Sequence, residues 1–114
     1  MLNTHAGYFQ SAGLTQGLVW EEYPYPVRME LLLEGNAAVF GESAATRLVP
    51  PLPPRSDVLI NKTGATKGFS AYAAFIPAKK IGIVILANKA YPMKEEVTTG
   101  YRILKRILSI EKKN

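Results

Sequence analysis

The stretch from Val58 to Ala87 constrains this chain more than any other part of it. Val58-Leu59-Ile60-Asn61-Lys62-Thr63 is a strand candidate. Gly68 to Ile76 alternates with a period of two, which puts Phe69, Ala71, Ala73 and Phe75 on one face. Pro77-Ala78-Lys79-Lys80 reads as a turn. Ile81 to Ala87 is the most apolar run in the chain and is expected inside a sheet. Two such strands joined by a short turn form an antiparallel hairpin. After Pro92 the period changes. Val97, Tyr101, Leu104 and Leu108 recur at steps of three and four, and Ile103 and Ile107 widen the stripe, so an amphipathic helix follows. Glu95 and Glu96 in its first turn, and Lys112 and Lys113 near its end, suit the helix dipole. The expected fold class is α/β of the α+β type: an antiparallel sheet packed against a C-terminal helix.

The earlier part of the chain is less regular. Leu18-Val19-Trp20-Glu21-Glu22-Tyr23 reads as a strand ended by Pro24 and Pro26. Residues 27–35 suit a short helix, with Met29, Leu32 and Leu33 at helical spacing and Gly35 as its stop. Residues 36–56 read mostly as loop. Val49-Pro50-Pro51-Leu52-Pro53-Pro54 excludes a helix or an inner strand, because proline lacks the donor N–H. This is a stiff extended segment, read as a connection over the surface rather than as a PxxP ligand.

Composition narrows the function classes. With 47% apolar residues the 114-residue chain can build a core, so it is not a disordered segment. It has no Cys, which excludes a disulfide framework and a thiolate metal site, and His5 alone cannot make a His-based zinc centre. No metal or cofactor is expected. The net charge is +5, with Arg102, Lys105, Arg106, Lys112 and Lys113 concentrated at the end. A solvated helix face accounts for that cluster. Without aromatic interleaving or a nucleic-acid motif, no nucleic-acid partner is expected. No stretch is long enough for a membrane span, and residues 1–5 carry no signal-peptide pattern, so Met1 reads as a truncation.

Lys62-Thr63-Gly64 carries the chemistry. An ammonium at Lys62 supplies a point charge and hydrogen-bond donors to a carboxylate or a catalytic hydroxyl. The Thr63 hydroxyl can donate to a carboxylate oxygen. Gly64 lets a ligand approach the backbone without meeting a Cβ. On a strand lining a site, the Ala65 N–H is free to point at a developing oxyanion. Thr63 and Ala65 point to one side of a regular strand, Lys62 and Gly64 to the other. Ser109-Ile110-Glu111-Lys112 matches a Ser-x-x-Lys nucleophile pattern, but it falls at the charged end of the last helix and reads as chance. His5 has no triad partners. Tyr72 and Trp20 read as core residues rather than ligand platforms.

Asn61-Lys62-Thr63-Gly64-Ala65-Thr66, Gly68-Phe69-Ser70-Ala71-Tyr72, Phe75-Ile76-Pro77, Gly82 to Lys89 and Tyr91-Pro92 together resemble the C-terminal portion of class C, AmpC-type, serine β-lactamases. Gly17-Leu18-Val19-Trp20-Glu21 is similar to the family's Gly-Leu-Gly-Trp-Glu segment, with Val19 in place of a glycine. The Lys-Thr-Gly element is a known signature of related penicillin-recognising enzymes. The resemblance implies that residues 1–114 are the C-terminal part of the α/β domain of the serine β-lactamase and penicillin-binding-protein fold, without the helical region and the nucleophile. It implies a serine acyl-enzyme hydrolysis of β-lactams in the periplasm. Lys62 would orient a catalytic tyrosine and the ligand carboxylate, with Thr63 near that carboxylate. The Ala65 N–H would be one oxyanion donor and its carbonyl would meet the drug's side-chain amide. Gly64 and Thr66 complete the substrate-binding strand.

The family often has Asn, Asn and Arg where this chain has Ala90, Met93 and Glu96. By resemblance, a Glu96 near the ligand carboxylate reverses the local electrostatics. Residues 36–46 correspond to a variable loop beside the site. A chain with this content should expose an apolar face and therefore partner the remaining part of an enzyme or associate with itself. Two other readings stand beside hydrolysis: a non-catalytic truncated fragment or module, and a related D-Ala-D-Ala peptidase or esterase.

Overall fold

A computed structural model describes residues 2–11, 13–38 and 44–112. Seven strands form one sheet in the order β4-β1-β2-β3-β5-β6-β7. They are β1 (Gly7–Ser11), β2 (Leu14–Gln16), β3 (Glu21–Pro24), β4 (Thr46–Leu52), β5 (Val58–Ala65), β6 (Ser70–Ile76) and β7 (Ile81–Ala87). Two α-helices, α1 (Met29–Ala38) and α2 (Met93–Lys112), complete the element order, with 3-10 turns at Leu2–His5 and Pro77–Lys79. Every strand pair is antiparallel. The antiparallel sheet with its C-terminal helix agrees with the class expected from sequence.

The meander β5–β6–β7 is where local sequence and structure agree best. Its register pairs Asn61 with Ala74 and Ala74 with Ile83, and Thr63 with Tyr72 and Tyr72 with Ile85. Residues paired this way share a face. Asn61, Thr63, Tyr72 and Ala74 therefore lie on the side covered by helices. Lys62, Gly64, Ala71, Ala73, Val84 and Leu86 lie on the other. In α2 the stripe Val97, Tyr101 and Leu104 is buried against the sheet, and Leu108 packs at its margin. Tyr101 also hydrogen-bonds the Val27 carbonyl, tying α2 to the segment before α1.

Each helix approaches the sheet through a glycine seated on a buried tyrosine. A Cβ at Gly100 would stand 2.8 Å from Cε2 of Tyr72, and one at Gly35 would stand 2.6 Å from Cε1 of Tyr23 and also meet its hydroxyl. Tyr23 and Tyr72 are both fully buried, so neither ring has room to yield.

Several elements differ from their sequence reading, each for a local reason. The hairpin β1–β2 has no counterpart among the elements expected from sequence. It is short, and its turn is marked by Gly13, whose φ of 80° is in the left-handed region that glycine tolerates. The strand read over 18–23 begins only at Glu21, because Gly17 N–H donates to the Trp20 carbonyl (2.8 Å) and closes a turn that leaves Leu18 and Val19 exposed. Helix α1 runs through Gly35 instead of stopping there, since that glycine serves the contact with Tyr23 and not a cap.

Within the expected loop 36–56, Asn36–Ala38 continue α1, residues 39–43 lie outside the described residues, and Thr46–Leu52 form β4. Pro50 and Pro51 are accommodated because β4 is an edge strand whose register shifts between Gly7 and Phe9 of β1, so the prolines fall in the irregular part of the ladder. The most apolar run, β7, lies at the opposite edge and not inside the sheet. Only its odd-numbered residues pack on α2; Val84 is 67% and Leu86 78% exposed, so half of its apolarity faces outward. Ile103 is likewise exposed and not part of the packed stripe, whereas Ile107 is half-buried.

The glycine contacts yield a test. Gly→Ala in a helix interior ordinarily stabilises by about 1 kcal/mol, and overpacking a core costs about 1–3 kcal/mol. Here the steric term should win, so Gly35→Ala and Gly100→Ala should both lower the thermal midpoint of this chain. A midpoint that rises in either variant would show that the helix can shift off its tyrosine.

Candidate functional site

β3 ends the pairing of β5 at one residue. Its partners run from Val58 opposite Pro24 to Asn61 opposite Glu21, and Lys62 to Ala65 continue past that point, paired only with β6. The backbone of Lys62-Thr63-Gly64-Ala65 thus has strand neighbours on one side and an unpaired edge on the other. This follows from the early turn at Gly17–Trp20, which starts β3 late.

Beneath this edge is a buried polar cluster that sequence reading assigned no role. The Asn61 Oδ1 accepts from the Tyr72 hydroxyl (2.9 Å) and from the Asn36 Nδ2 (3.0 Å). Asn36 Nδ2 also donates to the Leu32 carbonyl (2.9 Å) and, at greater length, to the Tyr23 hydroxyl oxygen (3.4 Å). One amide therefore ties α1, β5 and β6 together. Burial raises the pKa of Tyr72 and Tyr23 far beyond the ordinary phenol range, with the Glu21 charge adding to it, so both are neutral hydroxyls. The available signal was an amide directly before Lys62, at the end of an apolar strand.

Glu21 and Glu22 are adjacent strand residues and hence point to opposite faces, yet both are buried. Glu21 Oε1 meets Lys62 Nζ at 3.4 Å, and its Oε2 has no hydrogen-bond partner among the described residues. Lys62 lies beyond the last β3 pairing, so its side chain can turn round the strand end to reach Glu21. The Lys62 side chain stays 44% exposed, so the pair leaves the ammonium accessible. Desolvation pushes the Glu21 carboxyl up, and Lys62 pulls it partly back. Desolvation likewise raises Glu22, against the opposing Arg55 charge, and its Oε1 is unpartnered. Arg55 also lies 3.5 Å from the Thr15 hydroxyl.

The predicted residues divide in two. Gly64, Ala65 and Thr66 line an open cleft of about 890 Å³ together with Phe69, Ser70, Ala71, Leu86, Ala87, Asn88 and Tyr91. Lys62 and Thr63 stand on the same strand but outside that lining. Ala90, Met93 and Glu96 are also outside it: Ala90 is exposed, Met93 packs against the core, and Glu96 is buried with Oε1 unpartnered among the described residues. Glu96 thus sits under the first turn of α2 and does not face the cleft. Ser109 is exposed near the end of α2, far along the helix from this cleft, and the His5 ring lies tilted beside Phe75 with centroids 5.5 Å apart. Tyr72 is core, as read, and Trp20 packs edge-on to Phe75 with ring centroids 5.3 Å apart.

The site thus combines an antiparallel sheet, a helical layer on one face and a Lys-Thr-Gly strand end that runs free past β3. A family model described as Beta-lactamase matches residues 2–107, and the chain belongs to that family. It is 49% identical over 104 residues to a beta-lactamase of Lysobacter lactamgenus, covering 89% of this chain and 27% of that protein. A crystal structure of a class C beta-lactamase in complex with cefoxitin superposes with a TM-score of 0.90 at 55% identity, covering 92% of this chain and 30% of that one. A D-alanine carboxypeptidase AmpC from Burkholderia cenocepacia superposes with a TM-score of 0.88 at 52% identity, covering 91% and 30%. The chain therefore matches class C members but spans less than a third of their length, as a C-terminal portion of one would.

The buried Glu22 sets a pH dependence. Its folded pKa lies above the ordinary 4.5, so the stability linked to its protonated form is full below 4.5 and is lost as pH rises through the raised value. Glu22→Gln keeps the shape and removes the charge. At pH 7 the variant should be more stable by about 1 kcal/mol, a rise of roughly 4–8 °C in thermal midpoint, and the gain should vanish below pH 4.5. Melting curves followed by Trp20 fluorescence across pH 3.5–8 check this; a gain independent of pH would contradict it.

Proposed function

We propose that this chain supplies the Lys-Thr-Gly wall of a class C serine β-lactamase site and hydrolyses β-lactams when joined to the rest of such an enzyme. The observation that carries the reading is the free edge of Lys62–Ala65, which ends in a cleft lined by Gly64, Ala65 and Thr66. In this reading the attacking serine comes from the part of the enzyme outside residues 1–114. The serine Oγ adds to the β-lactam carbonyl, the ring C–N bond breaks, and water then hydrolyses the acyl-enzyme to free the serine.

The part of this chain in that sequence is electrostatic. Lys62, held through Glu21 yet accessible, orients the hydroxyl that assists the nucleophile and attracts the ligand carboxylate. Thr63 donates to that carboxylate. The Ala65 N–H donates to the oxyanion, where such a donor is worth the most because it strengthens as charge develops. Gly64 and Thr66 keep the strand edge open to the ligand. Hydrolysis of D-Ala-D-Ala peptides is the second reading, favoured by the likeness to a protein named as a D-alanine carboxypeptidase. The compartment in either reading is the periplasm. No described helix is long and apolar enough to cross a membrane.

The test is hydrolysis of a chromogenic cephalosporin by this chain co-expressed with the remaining part of a class C enzyme, with a D-Ala-D-Ala peptide compared in parallel. Activity is expected in the pair and not in the chain alone. Lys62→Ala should lower kcat/KM by about 100-fold or more, and Thr63→Ala by about tenfold, the loss of one good hydrogen bond. No cephalosporin hydrolysis in a correctly assembled pair would favour a non-catalytic module. A faster reaction with the peptide would favour the peptidase.

A further inference from the structure

Ser70 stands where the strand that carries the chemistry ends and where the chain leaves the sheet for α2. It opens β6, pairs with Ala65 of β5 on one side and with Ala87 of β7 on the other, and is 5% exposed. Its hydroxyl donates to the Lys89 carbonyl at 2.8 Å and accepts from the Tyr91 N–H at 3.4 Å. The Tyr91 N–H also donates to the Lys89 carbonyl at 3.0 Å, so one buried hydroxyl closes a small ring with the backbone of residues 89 to 91. Between Ala87 and Met93 there is no regular element to hold the backbone. Asn88 and Tyr91 from this stretch face the same cleft as Ala65 and Thr66. Within the segment the Lys89 ammonium lies 5.3 Å from the Tyr91 ring centroid, a loose restraint.

We propose that Ser70 is a positioning residue that fixes the Asn88–Tyr91 segment against the end of the Lys-Thr-Gly strand, and so sets the cleft width and the fit of the ligand group that lies between Ala65 and Tyr91. This rests on the hydrolase reading above for the identity of the ligand, but not for the anchoring itself. The physical argument is that site-lining loops are more mobile than the strands they join, and a hydroxyl on a strand at the cleft wall, with both a donor and an acceptor role, is a fixed point for the segment bonded to it. Ala at this position removes the bond from strand β6 to the Lys89 carbonyl and leaves that carbonyl only the local Tyr91 N–H. Thr keeps the hydroxyl and suits a strand.

Two measurements test it. Amide hydrogen exchange on this chain compares the native sequence with Ser70→Ala and Ser70→Thr. Tyr91 and its neighbours should exchange about tenfold faster in Ser70→Ala, with the β5–β6 amides unchanged and Ser70→Thr close to native. Unaltered exchange at Tyr91 overturns the anchoring. In the assembled two-part enzyme, Ser70→Ala should raise KM for a cephalosporin about fivefold to tenfold, with kcat within twofold of native, and Ser70→Thr should restore KM. Faster exchange with unchanged KM overturns the role in ligand fit. If the assembled native enzyme hydrolyses nothing, the hydrolase reading fails, and the exchange experiment still decides the anchoring.

Discussion

The hydrogen bonds at Asn61 are the constraint on which the site depends. The residue lies in the layer between sheet and helices, with its amide oxygen shared by Tyr72 and Asn36. A buried polar group left unpaired costs about 1–3 kcal/mol; Asn36 Oδ1 and Asn61 Nδ2 already lack partners among the described residues, so losing the bonds to Asn61 Oδ1 would add to a cost the cluster already carries. A slip of β5 by one residue would turn Asn61 to the opposite face and drive the Lys62 side chain into the core. The apolar residues of β5 tolerate either pairing far better than Asn61 does. The register that presents Lys62, Thr63 and Ala65 is therefore specified by an amide, and the helix α1 that supplies Asn36 takes part in the site without touching the cleft.

Around this tie the chain accepts unfavourable groups. Glu21 and Glu22 are buried on the two faces of one strand, each with an oxygen unpartnered among the described residues. The open sheet face adds Phe69, Val84 and Leu86 to the exposed apolar surface. Stability is given up near the free edge of β5 and recovered where α2 covers Tyr72, Ala74, Ile83 and Ile85. The edge strands at the two ends of the sheet illustrate the same division. β4 is blunted by prolines and Arg47, whereas β7 has no charge and no proline along its seven residues.

Much of this was legible in the sequence where a period repeats. The alternation in β6 and the three-and-four spacing in α2 set both elements within a few residues, and the Lys-Thr-Gly strand lay where its context put it. Other parts resisted for physical reasons. β1 and β2 are too short for a period to develop. Gly35 and Gly100 look like helix breakers in sequence, and only the approach to Tyr23 and Tyr72 explains them. The edge position of β7 was hidden because burial of one face by α2 demands apolar residues at alternate positions, and the outward positions are apolar as well. In the candidate site, the Lys-Thr-Gly motif stands out in the sequence, but the bonding roles of Asn61, Glu21 and Ser70 do not. Their importance comes from partners 11 to 41 positions away in sequence, or in the case of Ser70 from a carbonyl 19 residues on.

The contact between Lys62 and Glu21 has a consequence for how an anion is received. The ammonium is the principal charge opposing the desolvation of Glu21. Any carboxylate that draws Lys62 toward solvent weakens that opposition and leaves the buried Glu21 harder to keep ionised. Anion capture at the strand edge and proton uptake inside the sheet are then two sides of one equilibrium. The affinity of the edge for an anion is in part a property of a carboxyl group that the anion never meets.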